Sequence, residues 1–201
     1  MTIQYACFVS YRRLSDLSTK AFIKQLECAI RNHLERLRED GVFIDYNDIR
    51  CGDELEEKVA QAICVSSCMV VVYCPAYDNS LYCRRELAAM IELENMRKQV
   101  IGDQLPAKRL IFTIVYGGSD SDIPQWIKDT IYIDMRKFSL LSKKIYLDKE
   151  LDKKIREMVM SIWERHKIID AASDKFTIDC TTFKLPPLEK APSRSQPFPG
   201  R

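Results

Sequence analysis

Tyr82 and Glu86 place an aromatic ring and a carboxylate four residues apart at the start of a predicted helix. An apolar, strand-like run ends at Cys74, Pro75 stops it, and Ser80 is the predicted N-cap of the helix that follows. Residues four apart share one helix face, so we expect the ring and the carboxylate to lie together. They would sit just beyond the carboxyl end of a strand, where open α/β sheets bind ligands.

A surface ion pair is the alternative interpretation of Glu86. Its neighbours at helical spacing are Tyr82, Cys83, Ala89 and Met90, and none of them is basic. Leu87 is predicted to face inward, so Glu86 is expected at the border of the buried face. These neighbours favour a functional carboxylate.

Ser10-Tyr11-Arg12-Arg13 follows the first predicted strand and presents a hydroxyl, an aromatic ring and two guanidinium groups. Arginine suits phosphate because its donors form a planar fork. An ordinary solvated loop is the alternative. Neither the dinucleotide fingerprint G-x-G-x-x-G nor a P-loop motif is present. Two arginines also disfavour a magnesium site of the receiver-domain type, so we predict no metal and no cofactor.

Alternating strand-like and helical patterns predict an α/β fold. We expect a flavodoxin-like three-layer sandwich, with a five-stranded parallel sheet in the order 2-1-3-4-5 and helices on both faces. The predicted strands are 5–10, 41–46, 68–74, 109–116 and 131–135, and the long helices are 18–38, 54–65, 81–99 and 147–166. The uninterrupted apolar run of 68–74 is typical of a strand covered on both faces.

The switch point of this strand order lies between the first and third strands, so three loops should meet at one edge of the sheet. They are 10–18, 45–53 and 75–82. The second loop carries Asp45, Asp48 and Asp53 around Arg50 and Gly52. A hydrogen-bonded loop, a partner surface, part of a pocket and a plain charged turn all remain open for it.

The 201 residues, 46% of them hydrophobic, predict one cored domain followed by a tail. We place the domain at 1–168 and a proline-rich tail or linker at 169–201, because 185–201 holds five of the eight prolines. The tail could lead to a further domain. A net charge of +2 gives no broad footprint for nucleic acid or membrane. We expect no signal peptide and no membrane span, since no apolar run approaches ~18 residues.

Eight cysteines occur without a C-x-x-C pair. Most lie in apolar strand-like or helical patterns, which favours buried, reduced thiols over a disulfide or zinc framework. Reduced thiols in turn suggest a cytoplasmic location.

Three segments resemble the signatures of TIR (Toll/interleukin-1 receptor) domains. They are Phe8-Val-Ser-Tyr-Arg12; Val42-Phe-Ile-Asp45 with Arg50-x-Gly-Asp53; and Ser80-x-Tyr-Cys-x-x-Glu-Leu87. The resemblance covers about residues 4–166. The third segment is similar to the Ser-x-Trp-Cys-x-x-Glu-Leu of plant immune and many bacterial TIR domains, whose glutamate is the catalytic residue of an NAD⁺ glycohydrolase.

The resemblance implies that Glu86 is catalytic and that the substrate-binding residues are Ser10, Tyr11, Arg12, Arg13, Asp45 and Tyr82. Tyr82 stands where the family usually has a larger tryptophan ring. Residues 46–55, with Asp48, Arg50, Gly52 and Asp53, match the loop through which many members assemble.

The implied activity is cleavage of NAD⁺ to nicotinamide and ADP-ribose or a cyclic ADP-ribose, activated by assembly, in bacterial antiphage defence. The implied partners are NAD⁺, other TIR domains, and a sensor or regulatory domain or protein. A non-catalytic TIR adaptor is the alternative. Base exchange or nucleotide-sugar transfer on the same fold is a third hypothesis.

Overall fold

A computed structural model describes residues 2–37, 53–105, 109–137, 145 and 148–192. Its strands are β1 (Tyr5–Tyr11), β2 (Ser66–Tyr73), β3 (Ile111–Val115) and β4 (Tyr132–Asp134). Its helices are α1 (Leu17–Glu35), α2 (Asp53–Cys64), α3 (Pro75–Asp78), α4 (Leu81–Ile101), α5 (Gln125–Lys128) and α6 (Lys149–Ala171). The predicted strand at 41–46 lies outside the described residues. None of the helices described is long and apolar enough to cross a membrane.

The four strands form one parallel sheet in the order β1-β2-β3-β4. In the centre, Val70 of β2 pairs with Val9 of β1 on one side and Phe112 of β3 on the other. This confirms the predicted α/β class and parallel sheet. The order also agrees with the predicted first, third, fourth and fifth strands, now β1 to β4.

β2 is the centre of the core, since all eight of its residues are buried. Helices cover the sheet in pairs: α1 packs with α6, and α2 packs with α4. Phe22 of α1 stacks on Tyr116 just after β3, with ring centroids 4.1 Å apart. A parallel strand buried on both faces needs helices on both sides, which explains the uninterrupted apolar sequence of β2.

Side-chain caps set the starts of the three longest helices. Asp16 caps α1 by accepting a hydrogen bond from the Thr19 amide at 2.7 Å. That bond holds the pKa of the Asp16 carboxyl below its usual value. Ser80 caps α4, as predicted, and Asp148 caps α6. Each cap satisfies amide groups that a first helical turn leaves without a partner.

Arg97 fixes α4 against the turn between α2 and β2. Its side chain is fully buried and donates to the Cys64 carbonyl at 2.8 Å and the Ser67 carbonyl at 3.0 Å. Burial lowers the pKa of Arg97 to about 10. These bonds join α4 to the end of α2 and to the start of β2, so the position of α4 along the sheet is determined inside the core.

The described residues after α6, 172–192, pack against the domain. α6 continues to Ala171, past the boundary we predicted at residue 168. Phe176 is 5% exposed and Leu185 4% exposed, and both belong to the hydrophobic core. Prolines prevent a regular helix here, but they do not prevent apolar side chains from being buried. Residues 193–201 lie outside the described part, and a further domain stays a prediction.

The prediction that the cysteines are unpaired is wrong for two of them, because Cys64 and Cys180 form a disulfide. They are 116 residues apart, at the end of α2 and in the segment after α6, so local sequence patterns do not bring them together. The free thiols in the part of the chain described are Cys7, Cys28, Cys68, Cys74 and Cys83.

Candidate functional site

Glu86 lies in the second turn of α4 and is buried, with 7% exposure. Ser10, near the carboxyl end of β1, is 1% exposed and donates from Oγ to Glu86 Oε2 at 2.6 Å. Such a short O–H···O distance is typical of a hydrogen bond to an ionised carboxylate. The structure therefore holds the carboxylate inside the protein, deeper than the border position we predicted.

Tyr77 of α3 extends this contact into a hydrogen-bonded chain. Its hydroxyl lies 2.7 Å from Ser10 Oγ and donates to the Cys83 carbonyl at 3.1 Å. Because the Ser10 proton is directed to Glu86, Ser10 Oγ accepts from Tyr77, which shares its single proton between the two acceptors. Burial, and then the nearby Cys83 and Glu86, raise the pKa of Tyr77 well above its usual value, so Tyr77 remains a donor.

The sequence pattern of residues 75–82 predicts a polar loop and assigns no role to Tyr77. The available signal was an aromatic residue two positions after Pro75, inside a segment otherwise rich in polar and small side chains. Pro75 begins the short helix α3. That turn directs Tyr77 inward, where it is fully buried.

The loop after β1 is attached to the first turn of α4. Ser80 Oγ accepts from the Cys83 amide and from Arg12 Nη1, each at 3.3 Å. Cys83 Sγ in turn donates to the Tyr11 carbonyl at 3.5 Å. Burial raises the pKa of the Cys83 thiol to about 12, with Glu86 the next contributor. Of the three loops predicted to meet at this edge, 10–18 and 75–82 do meet, through these hydrogen bonds. The meeting of loop 45–53 with them stays a prediction, since residues 45–52 lie outside the described residues.

The remaining predicted residues lie around this buried centre or outside the description. Arg12 and Arg13 are exposed, Tyr11 is half-buried, and Tyr82 is 57% exposed while Glu86 is buried. A spacing of four leaves about 40° between the two side chains, enough to put Tyr82 on the solvent side of α4. The assembly and binding positions Asp45, Asp48, Arg50 and Gly52 lie outside the described residues, and Asp53 begins α2.

A large cavity lies elsewhere in the described part of the chain. It has a volume of about 770 Å³ and is formed by β3, β4 and α6, with Phe112, Ile133, Met158 and Arg165 in its wall. None of Ser10, Arg12 and Glu86 lines it. The candidate site is instead identified by its chemistry, since it has a buried, hydrogen-bonded carboxylate at the carboxyl edge of the parallel sheet, where ligands bind in open α/β folds.

Residues 7–146 match the family model for the TIR domain. The chain belongs to the TIR domain family. This TIR domain is 29% identical over 142 residues to the probable 2′ cyclic ADP-D-ribose synthase BdTIR of Brachypodium distachyon, a match covering 67% of the chain and 53% of that protein. The chain thus spans about half the length of this curated relative. A solved structure that resembles it is the TIR domains of the activated Roq1 resistosome recognising the pathogen effector XopQ, at 16% identity and a TM-score of 0.40, covering 85% of this chain and 98% of the other.

Proposed function

We propose that this TIR domain cleaves NAD⁺ at the bond between nicotinamide and ribose, with Glu86 as the catalytic carboxylate. The products are nicotinamide and ADP-ribose or a cyclic ADP-ribose. The observation that carries the proposal is the buried Glu86 carboxylate held by Ser10 at the carboxyl edge of the sheet. The similarity to a protein named as a probable cyclic ADP-ribose synthase supports it.

The chemistry needs one well-placed negative charge. Nicotinamide leaves NAD⁺ as a neutral molecule, and the ribose that it leaves becomes oxocarbenium-like, as in sugar hydrolysis. A carboxylate fixed in a partly dry site stabilises that positive charge more strongly than it would in water. Ser10 and Tyr77 keep the carboxylate oriented, so little reorganisation is needed when the bond breaks.

Residues at the rim of the site would bind the rest of the substrate. Arg12 and Arg13 are exposed beside the site, and their guanidinium groups suit the pyrophosphate of NAD⁺. The rings of Tyr11 and Tyr82 would stack on a base. Asp45 completes the proposed set of substrate-binding residues.

The direct test is Glu86→Gln, which keeps the shape of the side chain and an acceptor for Ser10 but removes the charge. We expect nicotinamide release to fall by about a hundredfold or more, as for loss of a main electrostatic stabiliser. Glu164→Gln is the control, since it removes one negative charge from an exposed position on α6 away from the site. Chromatography of NAD⁺ incubations measures the products. Wild-type turnover in Glu86→Gln would contradict the proposal.

Assembly is the proposed means of activation, with Asp48, Arg50, Gly52 and Asp53 in the loop that would contact a neighbouring copy. Specific activity should then rise steeply with protein concentration in a dilution series. A flat series would contradict assembly activation. No nicotinamide release at any concentration would instead favour the non-catalytic adaptor.

The wider setting that we propose is bacterial antiphage defence in the cytoplasm. There a sensor or regulatory domain or protein would trigger self-association, and loss of NAD⁺ or a nucleotide signal would follow.

A further inference from the structure

The segment 176–192, here called the C-terminal strap, is bound to both helices of one layer. Cys180 is joined to Cys64 at the end of α2 by the disulfide. At the other end of the strap, Lys190 Nζ lies 3.5 Å from Glu92 Oε2 of α4. Between them, Leu185 is buried in the core. The strap is therefore attached covalently to α2 and non-covalently to α4.

Arg85 connects the strap, α2 and α4 at one point. Its guanidinium donates to two strap carbonyls, with Nε at 2.9 Å from Pro186 O and Nη2 at 3.0 Å from Leu185 O. The same group forms a two-pronged ion pair with the Glu56 carboxylate of α2. Arg85 directly precedes Glu86 in α4, so the strap is bonded to the helical turn that carries the candidate catalytic residue.

We propose that the C-terminal strap is a redox-controlled clasp, closed by the Cys64–Cys180 disulfide and opened by a small dithiol reductant. In the closed form it holds Arg85 and thereby positions the turn of α4 that carries Glu86. Opening lowers the rate of catalysis. This last consequence depends on the proposed function, whereas the opening of the strap does not.

The two sulfurs differ in solvent exposure, which determines the one that a reductant attacks. Cys64 is fully buried, whereas Cys180 is half-buried and lines a small cavity of about 270 Å³ together with Lys58 and Gln61. A thiolate of the reductant attacks the Cys180 sulfur, and the bond to Cys64 breaks, releasing Cys64 as a thiolate that takes up a proton. The second thiol of the reductant then displaces Cys180, so the reductant becomes a disulfide and the protein holds two thiols.

In the cytoplasm, the clasp would respond to changes in the thiol–disulfide balance. Glutathione and thioredoxin keep cytosolic thiols reduced, and the disulfides that do form there are usually catalytic or redox-sensing. The strap would then be open under ordinary conditions and closed during oxidative stress. Closure would tighten the α2–α4 layer and raise the activity of assembled molecules.

Limited proteolysis of the full-length protein tests the opening directly. Lys184 and Lys190 are exposed trypsin sites within the strap. We expect dithiothreitol to accelerate cleavage at both lysines by about tenfold in the wild type, because local opening controls access. Cys180→Ser should be cleaved at the fast rate with or without dithiothreitol. Cys28→Ser, which removes an exposed free thiol, should behave like the wild type.

Absence of the disulfide in oxidised protein, seen by mass spectrometry of alkylated peptides, would overturn the clasp. Unchanged cleavage after Cys64 and Cys180 have become alkylatable would also overturn it.

NAD⁺ turnover of the oxidised and reduced forms tests the effect on Glu86. We expect kcat to fall by about tenfold on reduction, with KM changed less than about twofold, as for misplacement of a catalytic group. Arg85→Gln should reproduce this fall without any change of redox state, and Arg85→Lys should partly restore the rate. An unchanged kcat with an opened strap would overturn the positioning role. No turnover in either form, together with normal opening, would reject the proposed NAD⁺ cleavage and leave the clasp standing.

Discussion

Ser10 donates a hydrogen bond to one oxygen of the Glu86 carboxylate and accepts one from the Tyr77 hydroxyl, so a single hydroxyl orients the candidate catalytic group. Ser10 and Tyr77 are both buried, as is Glu86. An ionised carboxylate in such surroundings requires donors, because burial without them is costly. The geometry at Glu86 is thus a property of three residues from β1, α3 and α4.

Replacement of Ser10 by alanine should lower kcat by about tenfold to a hundredfold, since a hydrogen bond to a charged group contributes about 1.5–3 kcal/mol. Tyr77→Phe removes the more distant donor while leaving the Ser10–Glu86 bond, and should cost tenfold or less. Steady-state kinetics of NAD⁺ cleavage measures both. An equal loss of kcat in the two variants would contradict the arrangement in which Ser10, and not Tyr77, contacts Glu86 directly.

Cys83 gives the site a measurable response to alkaline pH. Its pKa is raised from 9.0 to about 12 by burial. Between these values the folded protein keeps a proton that the unfolded chain has lost, so the free energy of unfolding falls as pH rises, by up to about 1.4 kcal/mol per pH unit for this group. The stabilisation is complete below pH 9.

Cys83→Ala should show a correspondingly shallower decline above pH 9. Urea unfolding from pH 8 to 10.5, with dithiothreitol present for both proteins to prevent disulfide exchange, measures the difference. Identical pH dependence would show that the Cys83 thiol is not protected in the folded state.

At the scale of elements, α4 is the helix on which the site depends. It is buried on most of its surface, because the sheet covers one side and α2 and the C-terminal strap cover others. Ala88 and Ala89 are buried small residues that permit close packing in its middle. Ser80 fixes the start of α4, and Arg97 fixes its position against the core. Glu86 therefore lies at a defined position along β1, next to Ser10.

Loss of the N-cap of α4 should lower the free energy of unfolding. Ser80→Ala is expected to lower the free energy of unfolding by about 1 kcal/mol, since an alanine accepts no bond from the Cys83 amide. Ser80→Thr keeps a hydroxyl acceptor and should lose only part of this. Urea denaturation monitored by circular dichroism gives both values. No loss in Ser80→Ala would show that α4 does not need this cap.

For the whole molecule, the features predicted from sequence were those that local patterns determine. The apolar run at 68–74 marked the central strand because a strand covered on both faces has no polar side. Ser80 marked the start of α4 because serine is a good N-cap and a periodic apolar pattern follows it. Such signals depend on neighbours within one or two helical turns.

The features that were missed depend on distant partners. Glu86 is buried because Ser10 supplies a donor 76 residues away, and Cys64 meets Cys180 across 116 residues. The Tyr77 hydroxyl finds its hydrogen-bond partners in Ser10, 67 residues away, and in the Cys83 carbonyl. The prolines of 185–201 predicted an extended segment, yet they gave no sign that Leu185 is buried in the hydrophobic core of the domain.

The continuous burial of β2, with ladder hydrogen bonds to β1 and β3 on its two sides, has a practical use in solution. Its amide protons reach solvent only when the entire domain opens, so their deuterium uptake reports global stability. Helix ends and loops exchange through smaller fluctuations. The exchange rates of the β2 amides therefore provide an internal reference. Faster exchange in a helix than in β2, within the same time course, reports local opening of that helix.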